Sequence, residues 1–120
     1  MRHLTITLDP DWAKALRAAG KQAASRTYQG ETLNFESPGE FFGRLTERRW
    51  EIVRVLQGQG ELSVRELARR LHRDVKRVHE DVAILAELGL IDRTQSAGVI
   101  CPFESVHIDM HLQAEQYAPA

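Results

Sequence analysis

Two spacings of apolar residues organise the chain. In "HLTITL" (residues 3–8), Leu4, Ile6 and Leu8 alternate with polar neighbours, the period of a half-buried strand, and Asp9 and Pro10 end it. From residue 11 to about 24 the spacing becomes helical: Trp12, Ala15, Leu16 and Ala19 share one face, and Gly20 weakens the last turns. "TYQGETLNFES" then reads as a turn and a second short strand with Leu33 and Phe35 on one side. Far downstream, after Pro102, "SVHIDMHL" alternates again. Val106, Ile108, Met110 and Leu112 face one way, and His107, Asp109 and His111 the other.

The middle of the chain is helical. In "SPGE" (37–40), Ser37 caps, Pro38 suits the first helical position and Glu40 completes a capping box, opening a short helix with Phe41, Phe42 and Leu45. Thr46 opens the next, where Trp50, Val53 and Leu56 keep helical spacing and Ile52 and Val55 widen the apolar face, until "QGQGE" stops it. A second capping box, Ser63 to Glu66, starts a helix with Val64, Leu67, Ala68 and Leu71 inward. His72 and Arg73 form a tight connection, and Asp74 caps a further helix with Val75, Val78, Val82, Leu85 and Leu88 along its stripe. Gly89 is placed to end it in the left-handed conformation, and "LIDRTQ", "SAG" and "VIC" read as a short hairpin.

From Thr46 to Cys101 the order is thus helix, helix, tight turn, helix, hairpin, which is what a winged helix-turn-helix domain requires. "LSVRELARRLHRDVKRVHEDVAILAELGLIDR" resembles the core of bacterial and archaeal transcriptional regulators of the broad MarR-like type. The carriers are "ELA" at 66–68, Val78, Leu85 and "LGLI" at 88–91. The resemblance covers about half of the chain. The whole chain, including "LNFESPGEFFGRLTERRWEIVRVL", further resembles a group of predicted DNA-binding proteins, some of which look like antitoxin partners of small toxins. The expected fold class is α+β. A winged helix-turn-helix domain over 37–103 would be joined to an N-terminal strand-helix-strand extension (1–36) and a C-terminal strand and tail (104–120).

Charge sharpens the expectation. The chain carries a formal net charge of −1, which argues against non-specific coating of nucleic acid. Yet between Ser63 and Glu80 the cations Arg65, Arg69, Arg70, Arg73, Lys76 and Arg77 outnumber Glu66, Asp74 and Glu80 two to one. Such a concentration on the two helices of the motif is the footprint expected for duplex DNA. With Val78, Val82 and Leu85 inward, the third helix offers Val75, Lys76, His79 and Glu80 to base edges. Arg73 and Arg77 suit phosphate clamping, Ser63 and Arg65 the backbone at the start of the second helix, and Arg93, Gln95 and Ser96 an adjacent groove. The plainer alternatives are that Arg69, Arg70 and Glu66 form a solvated face, that Asp74 only caps, and that Asp81 pairs with Arg77 or Lys76.

Other chemistries find less support. His107, Asp109 and His111 are competent metal ligands, but roots about 7 Å apart on a strand rarely converge on one ion, so the polar face of an edge or dimer strand fits better. Neither a metal nor any other cofactor is expected. The chain has no Gly-rich phosphate loop, nucleophile elbow or paired helical histidines, so an enzyme is not expected. Trp12, Trp50 and Cys101 read as core. With a lone cysteine, no signal peptide and no apolar run long enough to span a membrane, the expected compartment is the cytoplasm. The expected partners are double-stranded operator DNA and a second copy of the chain, paired through the N-terminal unit, the C-terminal strand or both, with the N-terminal unit (1–36) the better candidate because its apolar helix face has no obvious place in the wing domain. The alternative is a protein-interaction module such as an antitoxin, with one of those elements holding a toxin.

Overall fold

The computed structural model describes residues 2–10, 17 and 30–112. The helix expected over 11–24, with Trp12, lies outside them. Among the described residues the chain is α+β, with four helices and two three-stranded sheets. In order these are β1 (Arg2–Leu8), β2 (Glu31–Phe35), α1 (Pro38–Arg44), α2 (Glu47–Leu56) and β3 (Leu62–Ser63). There follow α3 (Val64–Leu71), α4 (Val75–Leu88), β4 (Asp92–Arg93), β5 (Gly98–Ile100) and β6 (Phe103–Asp109).

Each helix starts where a short polar side chain satisfies an orphan backbone N–H. Ser37 accepts from the Glu40 amide, Thr46 from Arg49, Ser63 from Glu66 and Asp74 from Arg77. The second capping box is reshaped, because the Glu66 carboxylate takes hydrogen bonds from Arg69 and Arg70. At the other ends, His72 (φ 54°) closes α3 and Gly89 (φ 86°) closes α4 in the left-handed conformation.

The β1 strand lies at the centre of the first sheet, between β2 and β6, and pairs in parallel with both. The two segments flanking the helical middle therefore join each other. Alternation puts Leu4 and Ile6 in the core with Phe35, while His3, Thr5, Thr7, Ser105, His107 and Asp109 share the opposite, polar face. On that face Thr7 and both backbone groups of Asp9 bond to the Asn34 amide, and His3 Nδ1 lies 2.7 Å from Ser105 Oγ. Arg2 ties the sheet sideways, pairing with Glu31 and lying over the Phe103 ring at 5.1 Å. The second sheet is antiparallel in the order β3-β5-β4.

One continuous core links the elements. Ile52, Val53 and Leu56 of α2, Leu67 and Ala68 of α3, and Val78, Val82 and Leu85 of α4 are buried in it with Leu4, Ile6, Phe35 and Phe103. Phe41 stands edge-on to Phe35, with ring centroids 5.4 Å apart, and Trp50 packs beside it half-buried. Four apolar expectations change. Phe42, Ile108 and Leu112 are exposed, because the short α1 has one inward face and the chain at the end of β6 runs past the core, and Val75, placed on the α4 stripe, is exposed at the first turn of that helix.

Because β1 belongs to this common core, an Ile6→Ala chain should lose about 3 kcal/mol of stability. In urea its helical circular dichroism and a sheet-side probe should fall together. Separate transitions would show that the strand is an independent appendage.

Candidate nucleic-acid interface

The α3–α4 corner is built from short-range chemistry. The His72 amide donates to Arg69 O, the Arg73 amide to Ala68 O, and Asp74 then caps α4. Only His72, Arg73 and Asp74 separate α3 from α4, so the chain turns sharply between the two helices. The core stripe of α4 faces inward, which leaves Val75, Lys76, Arg77, His79 and Glu80 exposed along its first turns. Those five are the residues expected to face a ligand. Ser63 and Arg65, at the start of α3, are also exposed.

The β4–β5 hairpin carries Arg93 on its first strand and Gln95 and Ser96 at its tip, all exposed. Its turn closes through Thr94 N to Gly98 O at 3.0 Å, with Ala97 left-handed at φ 62°. The hairpin is anchored from behind: Thr94 Oγ1 donates to Glu61 Oε1 at 2.6 Å, and the Glu61 side chain lies where a Cβ on Gly98 would sit. Nothing in the apolar period marks Glu61, since it serves a hairpin turn more than thirty residues away.

Arg73 departs from its expected role. Its side chain is 11% exposed and donates from Nη2 to Asp81 Oδ2 at 2.7 Å, so the guanidinium is turned inward instead of being held out as a phosphate clamp. Asp81 in turn pairs with Arg73 and Arg49, where Arg77 or Lys76 was expected. Arg49 Nε donates to its other oxygen at 3.1 Å, and Arg49 Nη1 to Arg44 O at 2.6 Å. The sequence does hold a signal for this. Asp81 stands three residues after Val78 and four before Leu85, so it flanks the buried stripe. Arg73 Nε and Nη1 are buried and make no hydrogen bond among the described residues. Burial pushes the Asp81 carboxyl up, but the hydrogen bonds from Arg73 and Arg49 outweigh it and hold the group below the usual aspartate range.

These pairings redistribute the local charge. Glu66 gathers Arg69 and Arg70, whose hydrogen bonds lower its pKa to about 2. Arg65, Lys76, Arg77 and Arg93 form no ion pair among the described residues and are exposed. A polar cleft of about 510 Å³ separates the start of α2 from the α3–α4 corner, with Glu47, Arg48 and Glu51 facing His72, Asp74 and Arg77. Elsewhere, His111 Nε2 lies 2.9 Å from Asp109 Oδ1 and His107 is exposed. Among the described residues no three His, Cys, Asp or Glu side chains are grouped to hold a metal ion. Cys101 is buried, its thiol directed at Phe103 O, and burial pushes its pKa up. No described helix is long and apolar enough to cross a membrane.

The model of the family described as HVO_A0114 matches residues 44–108, from the end of α1 through most of β6. That is more than half of the chain, and the chain belongs to this family. No curated protein and no solved structure matches it.

Removing the Asp81 charge strands two largely buried guanidiniums, so Asp81→Asn should cost about 3 kcal/mol. Arg73→Met keeps the Arg49–Asp81 pair and removes two unsatisfied donors, so it should cost less. A group whose folded pKa is depressed stabilises above its unfolded pKa, near 3.8 for aspartate, and that stability is lost as pH falls through the folded value. The wild type should therefore lose stability below about pH 4 more steeply than Asp81→Asn does, in urea melts run across the acid range.

Proposed function

We propose that the chain is a winged helix-turn-helix protein that binds double-stranded DNA sequence-specifically and regulates transcription, acting as a dimeric repressor by occluding an operator. The observation that carries this reading is the joint exposure of Lys76, Arg77, His79 and Glu80 on the first turns of α4 with Arg93, Gln95 and Ser96 on the adjoining hairpin. In this reading α4 enters the major groove and the hairpin is the wing.

The roles follow from chemistry. Lys76 donates to guanine, Glu80 accepts from the cytosine amino group and Val75 touches a thymine methyl. Arg77, Arg65 and Ser63 hold phosphates, Arg93 and the wing tip reach the neighbouring groove, and Arg73 positions α4 from inside. A chain whose net charge is −1 has little pull on nucleic acid at large, so its affinity would reside in this face.

The test is fluorescence anisotropy on a labelled duplex from the region upstream of the protein's own coding sequence, against a scrambled duplex, at several salt concentrations. Binding should prefer the first duplex and weaken steeply with salt. Arg77→Ala should lower the magnitude of the salt slope by about one, and Lys76→Ala should cost about 1–3 kcal/mol and relax the sequence preference. Equal, weak binding to both duplexes that neither substitution alters would overturn the reading. The alternative, a protein-interaction module such as an antitoxin, would then be favoured.

A further inference from the structure

The outer edge of β6 is the least finished surface of the described fold. The strand runs seven residues from Phe103 to Asp109, pairs with β1 along one side, and meets no described strand on the other. Proteins usually blunt such an edge with lysine, proline or an extra bulge, because its unpaired backbone groups invite another strand. Between 103 and 109 there is neither lysine nor proline, the one register shift against β1 falls at the start of the strand, at Glu104, and Ile108, 45% exposed, sits on the face continuous with the core.

We infer that this edge pairs with the same edge of a second copy, antiparallel about a two-fold axis through Ile108. An antiparallel strand meeting itself must place side chains of the same face opposite each other, so only registers centred on a residue are allowed. Centring on Ile108 sets Ile108 against itself and, where the pairing runs one residue past the end of β6, Val106 against the other copy's Met110, joining two apolar stripes. On the polar face it sets His107 against the other copy's Asp109, twice by symmetry. The imidazole N–H donates to a carboxylate that has room for it beside its 2.9 Å contact with His111.

The neighbouring registers are poorer. Centring on His107 opposes two histidines, and centring on Asp109 opposes two carboxylates, which is destabilising. The edge of β2 offers no such match: centred on Leu33 it pairs Glu31 with Phe35 and Thr32 with Asn34, and Asn34 is already bonded to Thr7 and Asp9. Two three-stranded sheets would thus become one, with the β2 edges outermost. The inference stands apart from any DNA contact, because none of the residues facing a duplex in the proposed function lies on β6.

Sedimentation of the full-length chain tests it. The wild type should be a dimer. His107→Asp, which opposes two aspartates at each of two symmetric positions, should raise the dimer dissociation constant about tenfold. The exchange His107→Asp with Asp109→His should restore it. Under mild oxidation Ile108→Cys should form an intermolecular disulfide, and Glu104→Cys, at the register shift far from the two-fold axis, should not. Native Cys101 is buried and serves as the background. A monomeric wild type would overturn the inference. So would a dimer that is indifferent to His107→Asp, or cross-linking as ready through residue 104 as through 108.

Discussion

The carboxylate of Asp81 holds three elements at once. Aliphatic packing of Val78, Val82 and Leu85 brings α4 onto α2 and α3, but such contacts are non-directional and allow a helix to roll or slide. Asp81 adds direction. One oxygen receives Arg49 from α2, whose guanidinium also reaches the last carbonyl of α1, and the other receives Arg73 from the α3–α4 connection. The side chains that α4 turns outward, Lys76, Arg77, His79 and Glu80, follow from that setting. The same cluster brings two arginines and one aspartate out of most of their water, so its contribution rests on keeping both bonds to the one anion.

Charge is sorted by the fold as much as by composition. Of six cations between Ser63 and Glu80, Arg69 and Arg70 are held by Glu66 and Arg73 by Asp81. Arg65, Lys76 and Arg77 remain outward, and the hairpin adds Arg93. Glu61 and Thr94 fix where that hairpin stands by bridging it to the loop before β3. The outward surface is therefore smaller and more sharply defined than a count of basic residues implies. That is the property that the proposed reading of one DNA sequence requires.

The terminal segments show a different economy. The alternation in "HLTITL" and "SVHIDMHL" is the pattern of strands wet on one face, a pattern more usual in antiparallel sheets. Here all the pairings of that sheet are parallel, and the strand from the start of the chain separates the other two. The apolar face then closes over the same core that the helices use, so the flanking segments complete the middle of the chain and do not hang from it.

Local rules were legible because their causes lie within a few residues. Helix starts at Ser37, Thr46, Ser63 and Asp74, the stop at Gly89, the stripe of α4 and the exposure of Lys76, Arg77, His79 and Glu80 all depend on neighbours one turn away. What the tertiary structure alone decided depends on partners distant in sequence. Asp81 chose Arg49 and Arg73 over Arg77, because the latter stands on the wet side of α4. Arg73 turned inward because a carboxylate waited there. Glu61 met Thr94, and β1 took its place between β2 and β6. Periodicity records which face of an element is apolar, but it holds no information on which other element that face will meet.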